Sequence, residues 1–534
     1  MGNIKKGKKR PDYSSYIKWF WKLFILGTLG ITSMFLLASV GVFGELPDHT
    51  LLENPRTNLA SEIISADGQL IAKYYLDDNR TPVDYNELPK HLVDALIATE
   101  DARFHEHSGI DGFGTLRAFA FLGKRGGAST ISQQLARQLF VGEHAKSTLE
   151  RITQKIKEGY FTKLGINAIW MTPIVEQIHD ATDEGTGITY AYHGYWAKDW
   201  TAIDPNFGTK EDLKELVETA HKNGIRVLLD AVINHTGPVT EKDPVWPSDW
   251  VRTSPKCEYN NYENTTSCTL VENLPDIKTD SNENVALPPQ LVAKWKAEGR
   301  YEQELKELEA FFERTGHPKA PRFYIMKWLT DYITEFGIDG YRVDTVKHTE
   351  EYVWQEFKNE CDYAFAEFKK NNPEKVLDEN EFYLVGEVYN YVISNGKAFD
   401  FGDKKVNYFD KAFNSLINFE IKWNAKQMVA KDVFQKYDSL LNSELKGYGV
   451  LNYMTSHDDG QPFDKERQNP YKTATMLLLT PGTSQVHYGD ESARSLTIDG
   501  TIGDATLRSM MNWEDINNLD DTKKILTHWQ TLGQ

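Results

Sequence analysis

DAVINH (230–235), GYRVDTVKH (340–348), LVGEV (384–388) and YMTSHDD (453–459) are four apolar runs that each end in charged or imidazole side chains. Amphipathic stretches lead into them: DLKELVETAHKNG precedes IRVLLDAVINH, and FYIMKWLTDYITEFG precedes IDGYRVDTV. INAIWMTP, EFYLVGEV, GVLNYMTS and TSQVHYG continue the series of short apolar runs. Regular alternation of strand and helix predicts a parallel sheet, and this many units predict a β/α barrel. The charged stretch Leu287–Gly316 reads as an inserted surface helix, and 236–285 reads as a long loop domain.

Barrel chemistry gathers at the C-terminal ends of the strands. The four runs put Asp230, Asn234, His235, Arg342, Asp344, Lys347, His348, Glu387, His457 and Asp458 there. A single acidic residue at a strand end is by default a helix cap or a surface group, Asp230 can order the barrel interior, and Lys347 and His348 can be the solvated start of a helix. Four loaded strand ends in one order outweigh these separate readings. Cleavage of a glycosidic bond uses two carboxyl groups flanking the sugar, one held protonated and one ionised. Arg342, two residues before Asp344 on the same strand face, is placed to keep Asp344 ionised. His235 and His457 supply ring nitrogens for sugar hydroxyls, and Tyr195 a flat ring.

The bulk composition is that of a globular protein: 534 residues, 40% hydrophobic and 12% aromatic. A formal net charge of -18 argues against a nucleic-acid partner. Cys257 and Cys268, close together in a polar stretch, suit a local disulfide in an oxidising compartment, whereas Cys361 in a helical pattern reads as a lone thiol.

The N-terminus has another character. Lys5, Lys6, Lys8, Lys9 and Arg10 lie in a basic tail (1–22) ahead of an uncharged apolar run, 23–43. A run of about 21 residues is long enough to span a hydrocarbon layer, too long for a cleaved signal peptide, and has no clean cleavage site after it. It reads as a transmembrane signal anchor, with the chain after Gly44 facing outward. Residues 45–158 begin extended (Glu62–Leu76) and turn helical, and the pattern changes abruptly at Glu158–Gly159 without a linker.

The four strand-end runs resemble, in order, the signature regions of the α-amylase family, glycoside hydrolase family 13, and AYHGYW (191–196) and NLPDI (273–277) support the resemblance. It covers about 160–534. It implies a retaining hydrolase of α-1,4-glucosidic bonds in starch-like glucans or maltooligosaccharides. Asp344 would be the nucleophile, Glu387 the acid/base and Asp458 the transition-state stabiliser, with Tyr195, His235, Arg342, Lys347, His348 and His457 binding substrate. It also implies a calcium ion held by Asn234, Asp276 and the His348 carbonyl. Ser456 departs from the Asn more common before His-Asp. The family's first strand and most of its first helix find no counterpart before KLGINAIW, and its C-terminal β-sandwich finds none after KKILTHWQTLGQ. The expectation is therefore a (β/α)8 TIM barrel lacking its first strand and its sandwich.

ATEDARFHEHSGID (98–111) and RGGASTISQQLARQLF (125–140) resemble the first motifs of the family 51 peptidoglycan glycosyltransferases of class A penicillin-binding proteins. That resemblance implies a partial, mainly α-helical domain at 45–158 that acts on lipid II, anchored in a bacterial inner membrane and facing the periplasm or exterior. Glu100 would be the general base, Ser129 and Gln133 would shape the cleft, and Lys155 and Glu158 would belong to the third motif. Two partial matches that meet at 158/159 imply a chimera, either a real gene fusion or an artefact in which two reading frames are joined. The readings are an α-glucan hydrolase, a lipid II polymerase acting through the N-terminal part, or an inactive chimera of two truncated domains.

Overall fold

The computed structural model describes residues 147–183, 187–501 and 503–534, together with the strands Ser61–Ile64 and Leu70–Tyr74, residues 88–101 and positions 19, 21, 22, 103, 104 and 111. The chain divides into two compact units, Met1–His144 and Ala145–Gln534.

In the first unit, β1 (Ser61–Ile64) pairs antiparallel with β2 (Leu70–Tyr74), so the expected extended region is a pair of strands. Helix α1 (Lys90–Glu100) ends on Glu100, whose side chain lies outside the description. Arg103 is ion-paired with Asp111. The expected anchor, 23–43, and the expected cleft residues Ser129 and Gln133 lie outside the described residues, and no described helix is long and apolar enough to cross a membrane.

The second unit opens with α2 (Thr148–Lys157). Ser147 caps it: its hydroxyl accepts the Glu150 amide while the Glu150 carboxylate accepts the Ser147 amide, satisfying two N-terminal donors reciprocally. Leu149, Thr153 and Ile156, three to four residues apart, form its buried face. The strands and helices that follow are β3 (Ala168–Trp170), β4 (Val175–Gln177), β5 (Ala197–Ile203), α3 (Lys210–Lys222) and β6 (Arg226–Ala231). Next are α4 (Pro289–Ala297), α5 (Tyr301–Thr315), α6 (Pro321–Phe336), β7 (Gly340–Val343), α7 (Glu351–Asn371) and β8 (Tyr383–Gly386). The unit continues through β9 (Ser415–Asn418), α8 (Ile421–Gln427), α9 (Ala430–Asn442), β10 (Gly449–Tyr453), α10 (Pro470–Leu479), β11 (Thr483–Gln485) and α11 (Asp520–Gly533).

Seven of these strands form one parallel sheet in the order β11-β10-β9-β8-β7-β6-β3. Middle strands such as β7 and β9 are buried along their whole length, as strands covered on both faces must be. Leu228, Val385, Ile417, Leu451 and Tyr453 fill the interior. β3 and β11 each have one partner among the described residues, and Ala168 and Thr483 on them are exposed. The ring nevertheless meets below that opening. Gln534 Nε2 donates to the Lys163 carbonyl at 3.1 Å, and a Cβ on Gly165 would come within 2.0 Å of the Gly533 carbonyl oxygen. Only glycine permits that approach.

Two sequence expectations are corrected. The stretch expected as one inserted helix is two, α4 and α5, broken at Glu298–Arg300, where Gly299 takes a φ of 74°. Nor are they merely superficial. Trp295, Leu308, Phe311 and Phe312 are buried, and the fully buried Asp199 of β5 accepts from Lys294 at 2.7 Å and Arg300 at 2.9 Å. Burial pushes its carboxyl up, but Lys294 and the hydrogen bonds from Thr201 outweigh this and hold it below the usual range.

The second concerns the compact barrel unit, which begins at Ala145, ahead of the change of pattern at 158/159. Leu149 and Ile156 are fully buried in the barrel's core cluster, and the Leu149 amide donates to the Phe207 carbonyl at 3.0 Å. Lys155 pairs with Glu158 and lies 4.3 Å from the Trp513 ring, so both residues sit on a barrel helix. Substituting Ile156→Ala should destabilise the barrel by about 2–5 kcal/mol. Denaturant unfolding followed by the barrel's tryptophans measures this, and an unchanged midpoint would return the helix to the N-terminal unit.

Candidate active site

The site is assembled by continuation of the sheet ladder beyond the strand ends. The Asp344 amide donates to the Ala231 carbonyl at 3.0 Å, and the Glu387 amide donates to the Val343 carbonyl at 2.9 Å. Both acidic residues therefore leave the sheet with their backbones fixed. Arg342 of β7 stands directly opposite Asp230 of β6 in the register. Thr345 follows Asp344 in a left-handed conformation, φ 49°, uncommon for a β-branched residue. That turn points the Thr345 amide at Glu387 Oε2, 3.0 Å away.

The guanidinium of Arg342, fully buried, holds the carboxylates together. Nη1 lies 2.6 Å from Asp344 Oδ1 and 3.2 Å from Asp230 Oδ1, and Nη2 lies 3.1 Å from Glu387 Oε2. One fork thus reaches both Asp344 and Glu387. Asp230 is tied on its other side by the Tyr195 hydroxyl at 2.6 Å and by Trp170 Nε1 at 3.3 Å.

Three carboxyls around one cation leave excess negative charge in a desolvated space. Burial pushes Glu387 up to about 8; Arg342 opposes this and the charges of Asp344 and Asp458 add to it. Burial likewise pushes Asp344 up to about 6, against the pull of Arg342, and Asp230 also to about 6. Burial and like charge thus favour a proton on Glu387 over one on Asp344.

His457 Nε2 lies 2.9 Å from the Tyr195 hydroxyl, and the two rings stack at 5.5 Å. His235 Nε2 meets the Tyr195 carbonyl at 3.1 Å, while its Nδ1 is buried without a partner. Burial depresses His457 well below its ordinary value, His235 to about 4 and His348 to about 3, so all three are neutral imidazoles. Lys347 donates to the Tyr389 carbonyl at 3.3 Å, with the Tyr389 ring 5.0 Å and the Tyr259 ring 5.8 Å from its Nζ. Asp458, exposed, takes a hydrogen bond from Ser456.

Asn234, Asp276 and His348 lie beneath this floor, where the loop domain joins the barrel. Ile277 donates its amide to the Asn234 carbonyl at 2.8 Å, and Cys257 and Cys268 are joined in a disulfide. Asp276 Oδ1 and Glu350 Oε1 are both buried without hydrogen-bond partners, while Arg252 lies 3.1 Å from Asp276 Oδ2 and Asn234 also hydrogen-bonds the Asp276 carboxyl. Two orphaned carboxylate oxygens fit a hard, oxygen-seeking cation. The His348 ring is bonded through Nδ1 to the Thr265 carbonyl at 3.2 Å, and its backbone carbonyl is the oxygen it could offer such an ion.

Sequence reasoning passed over Trp170, Glu350, Lys422 and a rim cluster in which the Tyr192 hydroxyl donates to Asp504 at 2.9 Å and Arg508 pairs with Asp504. Trp170 ends an apolar run and was open to the same strand-end rule. Asp504 and Arg508 lie in a 3-10 turn without periodicity, and no local signal marks them.

Fold and site together define a β/α-barrel protein with a buried acidic centre at the C-terminal ends of its strands. The chain belongs to the α-amylase family: the family's catalytic-domain model matches residues 124–531. A transglycosylase model matches 67–175, and the boundary between the two compact units falls where the matches overlap. The periplasmic α-amylase of Escherichia coli K12 is 31% identical over 454 residues, 74% of this chain and 62% of that protein. A cyclomaltodextrin glucanotransferase of Thermoanaerobacterium thermosulfurigenes is 26% identical over 349 residues, 64% of this chain and 43% of that one. The chain thus spans less than two thirds of the length of these relatives. Among solved structures, an Anoxybacillus α-amylase shares the fold with a TM-score of 0.50 and 22% identity, covering 73% of this chain and 71% of that one.

Proposed function

We propose that the barrel is a retaining glycoside hydrolase that cleaves α-1,4-glucosidic bonds in starch-like glucans or maltooligosaccharides. The observation that carries this reading is the Arg342 fork, with Asp344 and Glu387 held on one guanidinium. Protonated Glu387 gives its proton to the glycosidic oxygen as that bond breaks. Ionised Asp344 attacks the anomeric carbon and forms a glycosyl ester. Glu387, now a carboxylate, takes a proton from water, whose oxygen displaces Asp344 and restores the centre. Asp458 lies opposite the positive charge that develops on the sugar, Tyr195 supplies an apolar floor, and His235, His457 and Lys347 line the sugar sites, whereas the buried ring of His348 is turned to the Thr265 carbonyl. Kinship with an α-amylase and a cyclomaltodextrin glucanotransferase supports an α-glucan substrate.

The substrate-assay prediction follows from the two carboxyls. Attack needs Asp344 deprotonated, so kcat/KM falls as pH drops below about 6. Proton donation needs Glu387 protonated, so it falls as pH rises above about 8. Release of reducing ends from maltoheptaose by the full chain should follow this bell. Glu387→Gln should lose about 10²- to 10⁴-fold and the alkaline limb with it. Wild-type protein that is folded yet inactive at every pH would sink the reading in favour of an inactive chimera.

The proposal extends to calcium, with Asn234, Asp276 and the His348 carbonyl as ligands; the ion would staple the loop domain to the barrel. The orphaned oxygen of Asp276 supports it. Calcium added to chelator-treated protein should raise the thermal midpoint, and Asp276→Ala should remove that response. A midpoint indifferent to calcium contradicts the site.

The basic tail and the apolar run 23–43 support single-pass anchoring in a bacterial inner membrane with the barrel facing outward. The transglycosylase match favours a second reading for the N-terminal unit, polymerisation of lipid II with Glu100 as general base. Lipid II polymerisation by the wild type that is retained by Glu100→Gln would exclude that role.

A further inference from the structure

Asp458 is the one acidic residue of the centre that is not bonded to Arg342, and it sits on a loop rather than directly at a strand end. Four residues, Met454–His457, separate it from the end of β10. A carboxylate that stabilises a developing charge must be in place before the reaction, because reorganisation during the reaction forfeits the gain. Something else must therefore hold it.

A set of contacts around the loop does so. The Ser456 hydroxyl donates to Asp458 Oδ1 at 2.6 Å and accepts the Asp459 amide at 3.2 Å. The neighbouring Asp459 carboxylate is held by Lys422, the Tyr453 hydroxyl at 3.1 Å and the Gln461 amide at 2.9 Å. The Phe463 amide closes the loop onto the Met454 carbonyl at 2.8 Å. Lys422 comes from α8, the helix after β9, and only 7% of its side chain is exposed. A buried ion pair of this kind leaves an uncompensated charge when one member is removed.

We infer that Lys422 and Ser456 are positioning residues for Asp458: Lys422 anchors the adjacent Asp459, and Ser456 fixes one oxygen of Asp458. The division of labour follows from the sequence Asp458–Asp459. Two adjacent carboxylates compete for the single Ser456 proton, and the charge of an unpaired Asp459 would repel its neighbour. Lys422 removes Asp459 from that competition. A serine then suffices at position 456, because the hydroxyl both donates to Asp458 and accepts from the Asp459 amide.

This inference rests on the hydrolase reading for its kinetic consequence but not for its structural one, so two readouts are used on the full chain. In Lys422→Met, backbone amides of 454–463 should exchange hydrogen at least about 10-fold faster, with the rest of the barrel unchanged. With maltoheptaose, kcat should fall about 10- to 100-fold in Lys422→Met and Ser456→Ala, with KM altered less than about 3-fold. Lys422→Arg and Ser456→Thr, which keep the charge and the hydroxyl, should recover most of the kcat. Unchanged exchange in folded Lys422→Met, or Ser456→Ala at wild-type kcat, overturns the inference, as does a loss carried by KM. If Lys422→Met does not fold, Ser456→Ala and its threonine rescue decide. If the wild type hydrolyses nothing, the hydrolase reading falls, and the exchange experiment alone decides the positioning.

Discussion

Every chemical property of the centre depends on the burial of one guanidinium among three carboxyls. Arg342 is fixed because it stands inside a parallel sheet, opposite Asp230, with neighbouring strands on both sides. Asp230, Asp344 and Glu387 in turn depend on it, since desolvated carboxylates without a counter-ion would all be neutral. One positive charge is too little for three acids. That imbalance separates Glu387, near 8, from Asp344, near 6, and places an acid and a base within reach of one bond. A guanidinium serves here where an ammonium would not, because its planar fork contacts several oxygens at fixed angles and it does not titrate.

The barrel around this centre tolerates an unusual opening. Among the described residues β3 and β11 face each other without a ladder between them. Contacts outside the sheet join the two sides: the Tyr160 hydroxyl donates to the buried Glu491 at 2.7 Å, Tyr160 packs edge-on to Trp513 at 5.1 Å, and the backbone around Gly165 meets that of Gly533. The opening lies beside Trp170, which hydrogen-bonds Asp230, while Arg342, Asp344 and Glu387 stand on the inner strands β7 and β8 or directly after them. The most demanding part of the site therefore lies in the middle of the sheet, away from its free edges.

Much of this was legible in sequence because strand-end chemistry is local. A run such as GYRVDTVKH carries its burial, its direction and its charged terminus in nine residues. Arg342 was placed beside Asp344 by strand period alone, and the structure puts them 2.6 Å apart. That the helix Thr148–Lys157 packs with the barrel was hidden for the converse reason. ERITQKIKE is an amphipathic helix in any context, and only packing shows that Leu149 and Ile156 are buried in the barrel core. The break between α4 and α5 was likewise hidden, because a charged helical pattern continues across Gly299. Lys422 and Glu350 act through partners 37 and 71 residues away, Asp459 and Thr279, a separation that no local pattern reports.

The account stands most directly on the covalent role of Asp344. Glu387→Gln protein mixed with α-maltosyl fluoride, whose leaving group needs no proton from Glu387, should form the ester and break it down slowly. Intact-mass and peptide mass spectrometry should find one maltosyl unit on the peptide that carries Asp344, and Asp344→Asn should abolish it. Fluoride release with no adduct and an inverted anomeric product, or an adduct on another carboxylate, would contradict the account.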